Sequence, residues 1–243
     1  MIPKKIHYCW FGGNPLPEKD KKCIESWKKY CPDYEIIRWD ESNYDINKNL
    51  FMKQAYNAKK WGFVPDYARL DIIYNEGGIY LDTDVEIIKN LDPLLDNDGF
   101  MGFEGGESVS PGLGFGAKKG HPTIKKIMEI YENLEFIKED GTYDLTPSPI
   151  LNTEKMKEMG CVINNKEQIV RGIKIYPTEY FCPKDYVTGK LKITNNTYTI
   201  HHYNASWMSK KQKRRYLLRK RIGKNRYDAL VKLKNSIIFW KDR

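Results

Sequence analysis

The sequence predicts an α/β fold with a parallel layer in its sheet. Apolar and aromatic residues from Ile6 to Phe11 form a candidate buried strand, and residues 12–15 (G-G-N-P) supply the turn that follows it. Residues 19–30 place apolar side chains at helical spacing, and residues 34–39 alternate as a second strand does. A strand, a helix and another short apolar strand in this order favour a parallel βαβ unit.

The next stretch repeats this alternation. A helix is expected to begin at Pro65, because proline suits the first helical turn, and to end at the glycine pair 77–78. The apolar strand 79–81 follows and ends at an acidic D-x-D sequence, residues 82–84, before apolar residues resume at 85–88. The two acids therefore interrupt what would otherwise be one continuous strand.

Later elements are predicted from composition and spacing. We expect glycine-rich strands and loops over 99–120, an amphipathic helix over 123–134, a rigid loop at 146–149, and short strands at 173–176 and 198–202. No internal repeat or Ser/Gly linker marks a domain boundary before about residue 208.

The charge of the chain is unevenly distributed. The 243 residues carry 41 Lys and Arg against 32 Asp and Glu, a formal net charge of +9. Fourteen basic residues but only two acids lie in 209–243, so this tail carries +12 and residues 1–208 about −3. We predict a folded domain over 1–208 and a basic amphipathic helical tail over 209–243.

The tail favours one partner and leaves one alternative open. Apolar residues at helical spacing with cationic flanks suit an anionic membrane surface. The alternative is a pair of terminal helices docked on the domain with a solvated basic face. The concentration of positive charge in about 35 residues, without a nucleic-acid motif, makes nucleic acid an unexpected partner.

The cysteine pattern and the N-terminus indicate a compartment. The five cysteines form no C-x-x-C pair, so free thiols in a reducing compartment are the simplest interpretation. The first residues lack the apolar core of a signal peptide, and no run of eighteen apolar residues occurs. We expect a cytoplasmic protein, peripheral on the inner face of the plasma membrane.

The D-x-D sequence indicates a divalent cation. Asp82 and Asp84 are two residues apart at the end of a strand, so their carboxylates point to the same side and repel unless a cation lies between them. Oxygen ligands suit Mg²⁺ or Mn²⁺, which commonly take phosphate oxygens as further ligands. A nucleotide or phosphate ester is therefore the expected substrate. The alternative is a surface turn with two solvated aspartates.

Two further groups of residues strengthen this interpretation. Asp66 and Arg69 lie at i and i+3 on one helical face, where the alternative is an ordinary ion pair. His201 and His202 end a strand-like segment, and an imidazole can complete a divalent site begun by carboxylates, although a histidine can equally be structural. The hydroxyl and indole that follow at 206–207 could donate to a diphosphate.

With these motifs the sequence resembles glycosyltransferase family 32. The resemblance rests on I-P-K-K-I-H at residues 2–7, P-D-Y-A-R at 65–69, G-G-I-Y-L-D-T-D at 77–84, and the segment from His201 to Trp207. The family's sugar-binding D-x-D proteins include capsular polysaccharide transferases, fungal initiating mannosyltransferases and vertebrate galactosyltransferases of glycolipid synthesis. The resemblance implies a GT-A fold, with a Rossmann-like nucleotide-binding half and a mixed central sheet, here followed by C-terminal basic helices.

The resemblance also implies roles on the donor side. Trp10 would stack on the base and Cys9 would lie against it through its backbone. Asp66 and Arg69 would hold sugar hydroxyls and phosphate, and Tyr80 would pack by the nucleotide. The implied donor is a nucleotide sugar, expected to be UDP-linked.

The remaining implied roles concern the cation and the diphosphate. Asp82 would reach ribose or sugar hydroxyls and is also assigned to the metal site, and Asp84 would bind Mn²⁺, or Mg²⁺, directly. His202 is the predicted C-terminal metal ligand, in preference to His201. Further diphosphate contacts are expected from Ser206 and Trp207. The predicted catalytic set is Asp66, Arg69, Asp82 and Asp84.

Members of the family retain the anomeric configuration of the donor sugar. The sequence offers no well-placed carboxylate nucleophile, so we favour a front-face attack in which the leaving phosphate helps to deprotonate the acceptor. Glu104 and Glu107 remain candidates for acceptor-side acids, and Asn152 in the segment 146–152 is a candidate sugar contact. The alternative for that segment is a rigid surface loop.

The leading hypothesis is a metal-dependent retaining hexosyltransferase that extends a lipid-linked surface or capsular polysaccharide. A haloacid-type phosphohydrolase also places D-x-D at a strand end, but it expects the motif near the N-terminus and Thr or Val where Glu86 stands. A nucleic-acid-binding protein acting through the tail is the non-enzymatic alternative.

Overall fold

A computed structural model describes residues 1–186, 188–204 and 223. Strands β1 to β10 span Lys5–Cys9, Glu35–Trp39, Gly78–Tyr80, Val85–Ile87, Gly99–Glu104, Ser108–Ser110, Phe115–Ala117, Gln168–Val170, Ile173–Tyr176 and Thr199–His201. Helices α1 to α6 span Glu18–Tyr30, Leu50–Asn57, Pro65–Glu76, Pro122–Met128, Ser148–Glu158 and Thr178–Phe181. Short 3₁₀ turns cover Ile46–Lys48, Asp92–Leu94, Pro111–Leu113 and Glu129–Tyr131.

The central sheet is mixed. Its strand order is β2-β1-β3-β7-β5-β9-β8, with β6 paired to β5. The strands β2, β1 and β3 are parallel, with Ile6 opposite both Ile36 and Ile79, whereas β7 runs antiparallel to both β3 and β5. Since the chain places β2 on one side of β1 and β3 on the other, β1 is a topological switch point, where α/β sheets bind ligands.

Alternating side chains fill the two faces of this sheet. In β3 and just beyond it, Ile79 and Leu81 pack in the cluster that contains Trp27 of α1, whereas Tyr80 packs in the cluster that contains α2, α3 and α4. In β5 Phe100 joins the first cluster and Phe103 the second. Two buried faces explain why these strands are apolar throughout rather than alternating with polar residues.

The helix ends follow the local sequence. Helix α3 begins at Pro65, and Gly77 follows its last turn with φ of 66°, a left-handed value that favours glycine. The predicted helix 123–134 is shorter, because α4 ends at Met128 and a 3₁₀ turn follows. The rigid loop predicted at 146–149 is wrong in its second half. Helix α5 begins at Ser148, since Pro149 is tolerated in a first helical turn.

A second, two-stranded sheet holds the segment that follows the D-x-D sequence. It pairs β4 with β10 in antiparallel register, with His201 opposite Val85. Helix α1 borders β4: the Trp27 indole donates to the Val85 carbonyl at 2.7 Å, and the Ile87 amide donates to Ser26 Oγ at 2.9 Å. Residues near the end of the described chain are thereby fixed beside residues 82–87.

The α/β fold predicted from the sequence, with a parallel, Rossmann-like half and a mixed central sheet, is confirmed. The predicted boundary between residues 208 and 209, and the basic helices beyond it, lie outside the described residues. Across residues 1–186 and 188–204, no helix is both long enough and apolar enough to cross a membrane.

Candidate active site

Several candidate residues meet at the carboxyl edge of the central sheet. The strands β1, β3 and β5 run in the same direction, so their last residues lie along one edge. Cys9 ends β1, Asp82 follows β3, and Glu104 ends β5. The topology therefore brings together residues that are up to 95 positions apart in the sequence.

Arg69 connects the two carboxylates predicted on the donor side. Its Nη2 atom lies 3.1 Å from Asp66 Oδ1 and 3.5 Å from Asp82 Oδ1, and its Nε donates to the Pro65 carbonyl at 3.1 Å. The guanidinium carbon is 5.2 Å from the centre of the Tyr80 ring. The side chains of Asp66 and Arg69 are 6% exposed, compared with 28% for Asp82. Asp82 is therefore the member of this group that a ligand can reach.

Burial and charge together set the protonation of this group. Burial opposes the charge on Arg69, but Asp82, Tyr80 and Asp66 outweigh it, so the arginine pKa is raised above its ordinary value. Burial raises the pKa of Asp66 to about 6, because Arg69 and a hydrogen bond from Ser148 offset only part of the desolvation. Burial likewise raises the pKa of Asp82. The Arg69 guanidinium is thus a fixed positive charge next to the partly exposed carboxyl group of Asp82.

Asp84 has separate partners. His201 Nε2 lies 3.1 Å from its Oδ1, and the Asn204 amide donates to its Oδ2 at 2.7 Å. Burial raises the pKa of Asp84, but the contacts with His201 and Asn204 lower it by more, so that the resulting pKa is about 2. Burial lowers the pKa of His201, yet Asp84 outweighs this and raises it well above 6.5. Without a cation, Asp84 is a carboxylate paired with an imidazolium.

The structure places the imidazole of His201, rather than that of the predicted ligand His202, beside Asp84. The His202 imidazole instead lies 2.7 Å from Glu86 Oε2, and both side chains are about one-third exposed, at 32% and 39%. Only the backbone of His202 reaches Asp84, by donating to its carbonyl at 3.0 Å. Neighbouring residues at a strand end point to opposite sides, so the side chain facing Asp84 depends on the register of β10 with β4.

Cys9 and Trp10 lie at the end of β1, at the switch point. The Cys9 thiol is buried against Tyr80, and burial raises its pKa to about 12. The thiol is therefore neutral, and the predicted backbone contact to a base remains a prediction. The Trp10 indole donates to the Asn14 carbonyl at 2.6 Å, which ties it to the following turn. Ser206 and Trp207 lie outside the described residues.

Gly112 is a site residue that the motifs did not reveal. A Cβ atom at this position would lie 2.6 Å from Asp82 Oδ2 and 3.2 Å from Arg69 Nη1. Only a residue without a side chain leaves these two groups undisturbed. The glycine-rich composition of residues 99–120 marked the region, but it did not distinguish Gly112 from its neighbours.

Two buried side-chain oxygens have no hydrogen-bond partner among the described residues, Asn152 Oδ1 and the Tyr131 hydroxyl. Asn152 donates to the Ser148 carbonyl at 2.6 Å, and Tyr131 is an electrostatic neighbour of Asp66. Asn152 therefore sits on a buried helix face rather than in a surface loop.

The two acceptor-side candidates differ in their surroundings. Glu104 lies beside the Tyr203 hydroxyl, which also contacts Cys182 Sγ at 2.9 Å. Glu107 is exposed in the turn after β5. Of the two, only Glu104 is placed next to the segment that holds Asp84.

Comparison with known families identifies the region that carries these residues. The family described as "Glycosyltransferase sugar-binding region containing DXD motif" matches residues 17–101, which include Asp66, Arg69 and the D-x-D sequence. Residues 17–101 are a glycosyltransferase sugar-binding region. The resemblance to glycosyltransferase family 32 is thereby confirmed for this part of the chain. The match supports a sugar-binding role for the D-x-D sequence.

Individual relatives of this glycosyltransferase region agree with the family. The chain is 34% identical over 139 residues to "Inositol phosphoceramide mannosyltransferase 3" of Schizosaccharomyces pombe, covering 52% of this chain and 36% of that protein. It is 30% identical over 141 residues to "Mannosyl phosphorylinositol ceramide synthase CSH1" of Saccharomyces cerevisiae, covering 53% and 35%. The match thus spans about one third of the length of these curated relatives.

Among solved structures, "PaToxG Glycosyltransferase" superposes with a TM-score of 0.49 at 18% identity, covering 65% of this chain and 69% of that one. At this TM-score the likeness adds no weight. We base the fold assignment on the sheet order and on the D-x-D sequence that follows β3.

Proposed function

We propose that this protein is a metal-dependent, retaining glycosyltransferase that moves a sugar from a nucleotide-sugar donor to a glycan acceptor. The observation that carries the proposal is the pairing of two groups at the carboxyl edge of the sheet. Arg69 lies between Asp66 and Asp82, and the next acid along the chain, Asp84, faces His201. One group suits a sugar and a phosphate, and the other suits a cation.

Asp84 and His201 fit a divalent cation. Asp84 would supply a carboxylate oxygen, and His201 would supply Nε2 after losing its proton. These two atoms face each other at 3.1 Å. Across the described residues no three Asp, Glu, His or Cys side chains come together around one point, so water and diphosphate oxygens would supply most other ligands. When bound, Mn²⁺ or Mg²⁺ neutralises charge on the departing diphosphate.

The protein's own groups bind and orient the donor sugar. Asp82 is partly exposed and held from behind by Arg69, so it can accept hydrogen bonds from sugar hydroxyls in a fixed direction. Asp66 is buried and paired with Arg69, so it is not available as a nucleophile, which is compatible with front-face attack.

The chemical identities of the donor and the acceptor are proposed from the sequence. UDP-hexoses are the expected donors, and the mannosyltransferase names of the relatives make nucleotide-linked mannose, for which GDP-mannose serves as the probe, the main alternative. The inositol phosphoceramide in those names is a lipid, in keeping with a lipid-linked acceptor such as a growing surface or capsular polysaccharide. The basic tail would place the enzyme at the cytoplasmic face of the plasma membrane.

The test is hydrolysis of UDP-hexoses and GDP-mannose by the full chain, with MnCl₂ and with EDTA. We expect Mn²⁺-stimulated release of nucleoside diphosphate that is lost in the Asp82→Ala/Asp84→Ala double variant. The matched control is Asp98→Ala, an exposed aspartate that precedes β5 at the opposite edge of the sheet and pairs with Lys118. Equal turnover by the double variant and the control would contradict the proposal, and hydrolysis of p-nitrophenyl phosphate instead would favour the phosphohydrolase.

A further inference from the structure

Asp20 is a buried carboxylate to which the preceding sections assign no role. It lies in the first turn of α1, and its residue is 0% exposed. The D-x-D sequence and the segment that follows β10 each donate a hydrogen bond to this carboxylate. An uncompensated buried carboxylate is costly, so its partners indicate what the charge is for.

The partners of Asp20 come from both sides of Asp84. Thr83, the middle residue of the D-x-D sequence, donates through Oγ1 to Asp20 Oδ2 at 3.1 Å. Asn204 donates through Nδ2 to Asp20 Oδ1 at 3.0 Å. The backbone amide of Asn204 donates to Asp84 Oδ2 at 2.7 Å. Because Thr83 precedes Asp84 in the chain, these contacts close a ring around that carboxylate.

A simpler role for Asp20 is a favourable charge at the start of α1. A carboxylate in the first turn stabilises a helix, but this effect does not require burial or contacts to distant segments. Glu18, in the same turn, has a side chain that is 79% exposed and already provides such a charge. The two contacts of Asp20 reach 63 and 184 residues along the chain and therefore need a separate explanation.

We infer that Asp20 is a positioning residue for the site at Asp84 and His201. Its carboxylate accepts one bond from each of the two segments that supply those side chains, and so fixes their separation. This inference rests on the proposed function, because the site it positions is the proposed cation site.

The test exchanges donor and acceptor between Asp20 and Asn204. In Asp20→Asn, the carboxylate charge is lost, and the new NH₂ group faces either the Asn204 amide, which is a donor, or Thr83 Oγ1, which must then reverse from donor to acceptor. In Asn204→Asp, two carboxylates face each other. In the double variant Asp20→Asn/Asn204→Asp, the new amide can donate to the new carboxylate and still accept from Thr83, so the ring is restored with its polarity reversed.

The primary readout is the MnCl₂ concentration that half-saturates donor hydrolysis. Partners that orient a metal ligand typically contribute a factor of about 10 to 100 in metal affinity, so each single variant should raise this concentration by at least about tenfold. The double variant should return it to within about threefold of the wild type. A merely structural role for Asp20 predicts lower melting temperatures in the single variants with an unchanged Mn²⁺ requirement.

Ser26→Ala is the matched control. Ser26 lies on the same helix and also binds the segment after the D-x-D sequence, by accepting from the Ile87 amide at 2.9 Å. We expect this variant to lower the melting temperature without changing the Mn²⁺ requirement. An unchanged Mn²⁺ requirement in Asp20→Asn, or an equal change in Ser26→Ala, would overturn the inference.

Thermal melting of the four proteins distinguishes the two proposals. If the wild type hydrolyses no nucleotide sugar, the proposed function fails, but non-additive melting temperatures in the exchange set still report the link between Asp20 and Asn204. If the wild type is active and Mn²⁺-dependent while the exchange set is additive in both readouts, only the positioning role fails.

Discussion

At the scale of single residues, the identity of the histidine beside Asp84 matters most. Both histidines end the same short strand segment, but only His201 brings its imidazole to Asp84, at 3.1 Å. His202 is turned toward Glu86. His201 and His202 have the same side chain in different orientations, so replacing each in turn tests what the orientation contributes.

We predict that His201→Ala raises the MnCl₂ concentration required for donor hydrolysis by at least about tenfold, as expected for loss of a metal ligand or its partner. His202→Ala should leave this requirement close to that of the wild type, because it removes a partly exposed pair. The measurement is a Mn²⁺ titration of both variants. The opposite ranking would restore His202 as the ligand.

We also predict that Gly112→Ala weakens donor binding with little loss of stability. The added methyl group would meet Asp82 Oδ2 at 2.6 Å and displace that carboxylate from Arg69. The control is Gly102→Ala, whose methyl group would meet the Phe181 ring at 2.5 Å in the core and should cost about 1–3 kcal/mol of stability.

Thermal shift with UDP-hexoses or GDP-mannose and Mn²⁺ measures both effects. Gly112→Ala should melt near the wild-type temperature but lose the ligand-induced shift. Gly102→Ala should melt lower and keep that shift. A normal shift in Gly112→Ala would show that Asp82 need not be held at Arg69.

At the scale of elements, His7 of β1 connects three parts of the fold. Its Nδ1 accepts from the Trp39 indole of β2 at 3.1 Å, and its Nε2 donates to the Gly77 carbonyl after α3 at 2.9 Å. Both ring nitrogens are used by the neutral form, and a proton on Nδ1 would oppose the indole N–H. The histidine of the I-P-K-K-I-H sequence therefore has a structural role.

This geometry predicts a pH-dependent stability. Burial lowers the pKa of His7 from 6.5 to about 4. Between these values the unfolded chain binds a proton that the folded chain excludes, so the free energy of unfolding falls by up to about 3 kcal/mol as the pH drops from about 6.5 to 4. Above pH 6.5 His7 is neutral in both states and contributes no slope.

Urea denaturation of the wild type and His7→Gln at pH 7, 5.5 and 4.5 checks this expectation. The variant should start less stable and lose less stability over that window. Parallel curves for the two proteins would show that His7 does not titrate as its burial requires.

At the scale of the whole molecule, the net charge of +9 combines two unlike parts. Residues 1–208 are close to neutral, at about −3, whereas residues 209–243 carry +12. We predict that a chain ending at residue 208 retains Mn²⁺-dependent donor hydrolysis but loses binding to vesicles containing anionic lipid. Co-sedimentation with phosphatidylserine vesicles at low and high salt measures this binding. Equal binding of both chains would favour a tail docked on the domain.

Much of the local structure could be predicted from the sequence. The positions of α1, α3, β2 and β9 follow from apolar periodicity, Pro65 and Gly77, which act within a few residues. Helix α5 could not be predicted in the same way, because Pro147 and Pro149 are equally compatible with a loop and with a first helical turn. Whether that turn continues into a helix depends on the packing of Asn152 and Met156 against the core.

Part of the candidate site could likewise be predicted from the sequence, and part could not. The sequence alone determined the D-x-D sequence after an apolar strand and the i, i+3 pair of Asp66 and Arg69, because spacing along one element places those side chains. Only the tertiary structure decided that His201 faces Asp84, which is 117 residues away. It also decided that Asp20 and Gly112 border the two aspartates. These contacts depend on strand register and helix packing between distant segments, and no local pattern encodes them.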